Sequence, residues 1–359
     1  MSLTPADVGS RVVVRRRLGG EPGPSGGPAM TDVIGTLERF DDELVGVRRE
    51  NGTLVEFARA DVVAGKPVPP RTSTLLRVGA EHLEAIAGAG WPARTEDQLG
   101  DWLLREAGGF TGRANSVLCV GDPGVPLAEA FERVEEFYQR HELEPLLQVV
   151  VDAALEQPLT AAGWHVTRHG GGVLVQVASL ASARRASGSS DHDSVRISDM
   201  LSDGWRRMYG RTAGVDPDVV RGVLAGPDTV ALASVSDPPV AIGRGVVTGK
   251  WLGLAAVEVA PEHRGQGIGR EVVDALLAWG SEHGARSVYL QTVPDNPAAL
   301  ALYEPYGFVT HHRYCYWTRP FSDAPPARRL HGAARPPPGG HCPRPPWTPS
   351  APPAPQRGR

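Results

Sequence analysis

In "EHRGQGIGREVVDALLAW" (residues 262–279) Arg264 is followed by Gly265, Gln266, Gly267, Ile268 and Gly269, then by Arg270 and an apolar run. Residue types in this order could hold an anion. The first turn of an α-helix has four N–H groups without intrahelical acceptors, and its aligned peptide dipoles place roughly half a positive charge there. Glycines remove the Cβ atoms that would keep a phosphate away, and they allow the positive φ values that turn amides inward. Arg264 and Arg270 can add charge-assisted hydrogen bonds.

The setting supports that chemistry. "GLAAVEV" (253–259) ahead of Pro261 reads as a strand, and Val272, Val273, Leu276, Leu277 and Ala278 have the spacing of a one-sided helix. Strand, tight loop and helix together separate a phosphate cradle from glycine-rich filler. A surface turn with a glycine helix cap is the plainer alternative. A dinucleotide-binding loop would want G-x-G-x-x-G early in a parallel βαβ unit with an acidic residue about 20 positions on. Here the order is R-x-x-G-x-G, late in the chain.

The remaining elements divide the 359 residues into several parts, since the chain exceeds one ordinary core. Within residues 1–68, "RVVVRRRL", "TDVIGTLERF", "ELVGVRRENG" and "TLVEFARADVV" read as short strands, with "ENGT" a hairpin signal. A small SH3-like β-barrel is expected. Residues 72–182 begin with helical patterns at Leu83 to Ala87 and Asp97 to Arg105, followed by a strand at 116–120, a helix at 126–141 and a strand at 146–151. The polar run at 182–194 reads as a linker. A second α/β unit spans 194–320. Residues 321–359, rich in Pro, Gly, Ala and Arg, carry too few apolar groups to offset ordering and are expected to be disordered.

An internal repeat links the two α/β units. Residues 128–166 align with 270–309 as helix, strand, short helix and glycine–aromatic pair, so that Gln148 falls near Gln291, and Gly163 and Trp164 near Gly307 and Phe308. The first copy has "GDPGVPL" where the second has "RGQGIGR". The alignment reads as one fold occurring twice with the glycine loop kept once; chance similarity of two generic helix–strand pairs is the alternative.

Bulk properties exclude some classes. A net charge of −4 gives no global reason to expect direct binding of nucleic acid or an anionic membrane. The N-terminus lacks a signal-peptide apolar region, and no apolar run approaches the roughly 20 residues that cross a bilayer. Cys119, Cys315 and Cys342 signal neither a disulfide framework nor a zinc site. A cytoplasmic protein without membrane partners and without metal is expected.

Residues 257–270, "VEVAPEHRGQGIGR", resemble the acetyl-CoA pyrophosphate loop of the GCN5-related N-acetyltransferases (GNAT family). "NPAALALYEPYGF" (296–308) resembles that family's second signature, N-x-x-A-x-x-L-Y-x-x-x-G-F. The resemblance covers about 194–318 and implies an α/β (α+β) architecture: tandem GNAT-like mixed-sheet domains after the barrel, the second intact. It implies acetyl-CoA as cosubstrate and direct attack by a primary amine in a ternary complex. By position, Val257, Glu258 and Val259 would pair with the pantetheine arm and polarise the acetyl carbonyl. Residues 265–270 would hold the pyrophosphate with Arg264, Asn296 would contact the coenzyme arm, and Tyr303 would protonate the departing thiolate. A half-buried helix aromatic is the alternative for Tyr303.

A lysine-like amine costs about 4.6 kcal/mol to deprotonate at pH 7, so a base is expected. Several relatives place a glutamate in the strand where this chain has Gln291. Glu258 and Glu304 are candidates, and a water chain is equally open. For the acceptor, Trp205, Arg206, Arg207 and Tyr209 on one side and His311, His312, Arg313 and Tyr314 on the other could recognise an acidic or phosphate-bearing group, or could be solvated arginines and core aromatics. On a regular strand His311 and His312 point to opposite faces and cannot share a metal. The plan, including "GFTGRANSV" (109–117), resembles an actinobacterial histone-acetyltransferase-like group with an N-terminal SH3-like domain and a degenerate first GNAT copy. It implies a protein lysine, possibly of a histone-like protein, as acceptor. A small-molecule amine acetyltransferase of mycothiol-synthase type and an acetyl-CoA-sensing scaffold are the alternatives.

Overall fold

The computed structural model describes residues 3–22, 28–49, 53–68, 74–151, 153–167, 172–187 and 194–319. The chain divides into two compact units, Met1–Arg77 and Val78–Arg359. The expected tail, 321–359, lies outside the described residues.

The first unit is an antiparallel sheet of β1 (Arg11–Pro22), β2 (Pro28–Phe40), β3 (Leu44–Arg48), β4 (Leu54–Ala58) and β5 (Val62–Pro67), in the order β4-β3-β2-β1-β5. Alternation buries Val12, Val14, Val33, Leu37, Val45, Val47 and Phe57 as its core. The β3–β4 hairpin forms where "ENGT" signalled it, with Arg48 opposite Leu54; residues 50–52 of its turn lie outside the described residues. The barrel expectation is corrected in one respect: among the described residues no pairing joins β4 to β5, so the sheet is not closed.

The second unit is built on one 12-stranded mixed sheet. Its first half contributes α1 (Ala80–Ala89), β6 (Thr95–Leu99), β7 (Trp102–Glu106), β8 (Val117–Leu118), α2 (Leu127–Arg140), β9 (Leu146–Val150), α3 (Ala153–Ala161), β10 (His165–Thr167), β11 (Val173–Ser179) and α4 (Leu180–Ala186). Its second half contributes β12 (Val195–Ser198), α5 (Asp203–Met208), α6 (Pro217–Ala225), β13 (Val230–Val235), β14 (Ala241–Thr248), β15 (Trp251–Val259), α7 (Ile268–Glu282), β16 (Ser287–Thr292), α8 (Pro297–Tyr303) and β17 (Val309–Thr318). The helix expected over Asp97 to Arg105 is instead the β6–β7 hairpin. Gly100, at φ 57°, and Asp101 form a two-residue turn between the paired Leu99 and Trp102, the chemistry a tight hairpin demands.

The strand order β12-β13-β14-β15-β16-β11-β17-β9-β8-β7-β6 shows that the halves exchange their last strands. β11, from the first half, pairs with β16 of the second; β17, from the second half, pairs with β9 of the first; and β11 and β17 pair with each other. Each parallel pair, β8–β9 and β15–β16, is therefore flanked by a strand from the other half. Helix α2 buries Phe131, Val134 and Phe137 against Leu147, Val149, Cys315 and Trp317, the last two belonging to β17. Helix α7 buries Val272, Val273, Leu276 and Leu277 against Leu252, Leu254, Val288, Leu290 and Ala178. The opposite face takes α5 and α6, whose Trp205, Val219, Val220 and Val223 pack on Leu232 and Ile242 and on Phe110 and Ala114 of the first half.

The exchange couples the halves. Trp317, 2% exposed, lies in the first half's core although the second half supplies it. Trp317→Ala should cost about 3–5 kcal/mol by leaving a large cavity. Hydrogen exchange should register the loss equally at β9 and β16 amides; destabilisation confined to β9 would argue against a shared sheet.

Candidate active site

β15 pairs with β16 only over Trp251 to Leu254. Ala256 then takes φ 52°, and the pairing with β14 steps from Arg244↔Ala255 to Ile242↔Glu258, which inserts one extra residue in β15. Such a bulge bends a strand and increases its twist. Beyond it Val257, Glu258 and Val259 stay with β14 and part from β16. The Ala260 N–H donates to the Val240 carbonyl, so by antiparallel alternation the peptide groups of Val257 and Val259 turn to the open side. The Val259 carbonyl there accepts from Arg264 Nε at 3.0 Å.

The glycine loop closes the other side of this opening. Gly265 and Gly267 take φ 74° and 87°, and Gly267 is the N-cap of α7. A Cβ added at either would meet nothing within 4 Å; these glycines serve backbone conformation and open space rather than packing. Gly269 is different, since its added Cβ would lie 3.3 Å from Val259 Cγ2, which lets α7 approach β15. The Arg264 N–H bonds the Pro261 carbonyl and the Arg270 N–H bonds the Gly267 carbonyl. Among the described residues the five amides between them, 265–269, have no acceptor.

Val257, Glu258, Val259, Arg264, Gly265, Gly267, Ile268, Gly269, Arg270, Asn296 and Tyr303 line one cavity of about 600 Å³. The structure thus brings together every residue expected there except Gln266, whose side chain turns away to the Glu262 carbonyl at 3.2 Å. Arg270 Nη2 donates to the Ala186 carbonyl at 2.9 Å. Asn296 caps α8, its Oδ1 accepting from the Ala299 N–H at 3.1 Å, so only its Nδ2 remains for a ligand. Tyr303 is buried, packed edge-on to Phe308 at 5.7 Å between ring centres, and its hydroxyl has no protein partner among the described residues. Burial pushes the Tyr303 hydroxyl well above the usual phenol range, which keeps it protonated.

Glu258 is half-buried, and burial raises its carboxyl above the usual 4.5 while Arg211 and Arg264 oppose that rise. Arg211 Nε stands 3.9 Å from Glu258 Oε1. Glu304 is exposed and does not line the cavity. Gln291 accepts at Oε1 from Arg113 Nη1 at 3.0 Å. The sequence reading missed Arg113 as an individual residue; its signal lay only in the "GFTGRANSV" stretch, whose loop reaches the second half.

The residues expected to form an acceptor wall do not converge as one. Trp205 and Tyr209 are core side chains, Arg206 lies 3.5 Å from Asp203, Arg207 is exposed, Arg313 is partly exposed and Tyr314 is buried. The expectation that His311 and His312 face apart is overturned. Val175 opposes His312 and Gln176 opposes Thr310, so His311 is a bulge residue and the two Nδ1 atoms come within 2.7 Å. The outer nitrogens meet the Val78 carbonyl at 3.0 Å and Glu84 Oε1 at 2.9 Å. This pair serves a buried hydrogen-bond chain, since Glu84 also accepts from Gln148. Among the described residues no cluster of three His, Cys, Asp or Glu side chains could hold a metal.

A second cavity, about 590 Å³, occupies the matching place in the first half, lined by Val149, Val150 and Val151 at the end of β9, by Leu127 at the start of α2 and by Leu155 of α3. Two of its loop amides are already paired. The Asp122 N–H donates to Asp101 Oδ2 at 2.9 Å and the Gly124 N–H to Asp122 Oδ1 at 2.7 Å. Two carboxylates stand against amides that a phosphate would otherwise engage.

Residues 80–317 match the family described as the C-terminal part of the probable histone acetyltransferase Rv0428c, and residues 6–66 match its N-terminal Sm-like domain. The probable histone acetyltransferase Rv0428c of Mycobacterium tuberculosis is 32% identical over 86% of this chain and 94% of its own. The uncharacterized N-acetyltransferase YobR of Bacillus subtilis is 29% identical over 65% of this chain and 96% of its own. Among solved structures, a GCN5-related N-acetyltransferase from Kribbella flavida aligns with TM-score 0.47 and 14% identity over 69% of this chain and 96% of that one. No helix among the described residues is long and apolar enough to cross a membrane. By the family match and by the extent of its likeness to Rv0428c, the chain belongs to the Rv0428c family of GNAT N-acetyltransferases.

Proposed function

We propose that this enzyme transfers the acetyl group of acetyl-CoA to a primary amine by direct attack in a ternary complex, with a protein lysine of histone-like type as the first candidate acceptor. The observation that carries the reading is the run of five unpaired amides, 265–269, opening on the splay of β15. A diphosphate fits it in charge, and the empty space beside Gly265 and Gly267 leaves room for close approach. The exposed peptide edge of Val257 and Val259 suits an amide-bearing arm, which would add to β15 as a further strand does. Arg264 would release the Val259 carbonyl and turn to the diphosphate; Arg270 and Asn296 Nδ2 flank the same arm.

In the transfer, the acceptor nitrogen bonds to the acetyl carbon, the carbon–sulfur bond breaks, and the sulfur leaves with the electron pair. Tyr303 supplies the proton that sulfur takes up. Its hydroxyl stays protonated and has no protein partner among the described residues, which leaves that proton available to the sulfur. Glu258 is the better base candidate, because it lines the cavity where Glu304 does not, and its raised carboxyl lies nearer the pH at which an amine must lose its proton. The first half, residues 72–182, is read as a degenerate copy that frames the site without binding coenzyme. A small-molecule amine is the second acceptor reading, favoured because Glu258 is the one acidic residue lining the cavity among the described residues; an acetyl-CoA-sensing scaffold is kept for the case of no turnover. A cytoplasmic location is part of the proposal.

Calorimetry with acetyl-CoA should give one site per chain, because Asp101 and Asp122 occupy two amides of the first half's loop; Gly267→Glu should remove that site while circular dichroism stays unchanged. Two sites, or full affinity in the variant, would refute the loop assignment. Tyr303→Phe should lower kcat by about 10- to 100-fold with coenzyme affinity held within about twofold; unchanged kcat would end its role as acid. The wild-type kcat/KM should fall on acidification through an apparent pKa above 4.5, since only ionised Glu258 accepts a proton. In Glu258→Gln that limb should vanish with a loss of about 100-fold or more, and persistence of the limb would return the base to water.

A further inference from the structure

The loop after β7 crosses from the first half to the acceptor face of the second. Asn115 shapes it: Oδ1 accepts from the Ala107 and Gly109 N–H groups at 2.7 and 2.9 Å, and Nδ2 donates to the Thr111 carbonyl at 3.0 Å. Phe110 anchors the loop edge-on against Tyr209, 6.4 Å between ring centres. Arg113 is thereby delivered to Gln291 on β16. Gln291 and Glu258 share one face of the sheet. Tyr289, two residues before Gln291, opposes Gly253, which opposes Val246; Ile242, four residues before Val246, opposes Glu258. The two side chains stand on the two arms of the splay, where an amine must pass to reach the acetyl carbon.

Two guanidiniums stack on Trp91, Arg113 at 4.2 Å and Arg244 at 4.5 Å from the ring centre, and their hydrogen bonding differs. Arg244 is buried and satisfied by carbonyls: Nε donates to Leu224, and Nη2 to Gly90 and Val223. It is part of the core. Arg113 has five N–H donors to place, yet Gln291 Oε1 is its one hydrogen-bond partner among the described residues. None of its nitrogens is both buried and unpartnered, so the spare donors open toward solvent. Among the described residues no carboxylate pairs with it. Nearby, Arg211 is 66% exposed and only loosely held by Glu258 at 3.9 Å.

We propose that the acceptor carries an acidic group beside the amine it presents, and that Arg113, supplied by the first half, seats that group against Gln291 and Trp91. The proposal rests on the acetyltransferase reading of the same site. A planar fork with free parallel donors matches a carboxylate in two-point contact, and stacking on Trp91 removes much of the ordering cost of using it. An ammonium set among further cations would meet like charge there, so the proposal narrows the protein-lysine reading to lysines beside acidic residues and weighs against a basic histone-like segment. The acidic group can belong to a residue flanking a lysine or to a small amino acid.

The test compares matched acceptors at saturating acetyl-CoA: a lysine peptide flanked by Glu against the same peptide flanked by Gln, and free amino acids against their carboxamides. The acidic member of at least one pair should have kcat/KM higher by about tenfold or more, Arg113→Gln should reduce that ratio to within about threefold, and Arg113→Lys should retain part of it. Preference within the peptide pair alone assigns a protein acceptor; preference within the amino-acid pair alone assigns a small one. Equal use of both members by the wild type, an undiminished ratio in Arg113→Gln, or no turnover of any acid-bearing acceptor with coenzyme bound would overturn the proposal. Calorimetry of acetyl-CoA on each variant separates the two levels: loss of binding by the wild type sinks the acetyltransferase reading, whereas normal binding with a lost ratio concerns Arg113 alone.

Discussion

Five consecutive main-chain amides without acceptors, at residues 265–269, are the feature on which the account of this enzyme depends. A folded protein rarely leaves such donors unused, because an amide that loses water without gaining an acceptor costs about 1–3 kcal/mol. Here Gly265, Gly267, Ile268 and Gly269 line a cavity, which leaves their amides open to an anion. The arrangement needs Gly265 and Gly267 at positive φ, Gly269 close to β15, and α7 fixed by its buried stripe of Val272, Val273, Leu276 and Leu277. In the first half Asp101 and Asp122 instead engage two of the loop amides, those of Asp122 and Gly124.

The second constraint is the exchanged strand pair. Because β11 closes the second half's sheet and β17 closes the first's, neither half completes its sheet alone. This gives the first half a structural role. It supplies the strand beside β16, the loop that carries Arg113, and the Trp91 ring between the halves. Buried polar chemistry follows the same seam, where Glu84 of α1 holds Gln148 of β9 and His312 of β17. A charge so placed is secure only while all three elements stay in register, which suits a shared sheet.

What the sequence revealed, and what it hid, follows from the range of each interaction. The glycine loop and the helix stripes are local, and residue types within about one turn of each other specify them. The Gly163 and Gly307 turns, at φ 81° and 74°, were visible in the same way through the repeat. The β6–β7 hairpin was misread as helix because "DQLGDWLLR" has apolar spacing that satisfies both periods, and only the Gly–Asp turn decides between them. The strand exchange could not be read at all, since β11 and β17 would alternate in the same way whichever sheet they joined. Nor could the His311 bulge, which depends on the register against β11. Arg113 was lost for the same reason: its partner Gln291 is 178 residues away in the chain.

In the proposed reading catalysis and acceptor choice divide along the chain, with coenzyme chemistry local to residues 257–303 and acceptor recognition assembled across the sheet. The central claim concerns the loop amides, and a crystal structure of the enzyme with coenzyme A tests it most directly. The account predicts diphosphate oxygens within about 3.2 Å of several amides among residues 265–269, a normal hydrogen-bond distance, with the pantetheine arm along Val257 and Val259. Coenzyme density in the first half's cavity, or a diphosphate held only by side chains away from this loop, would contradict it.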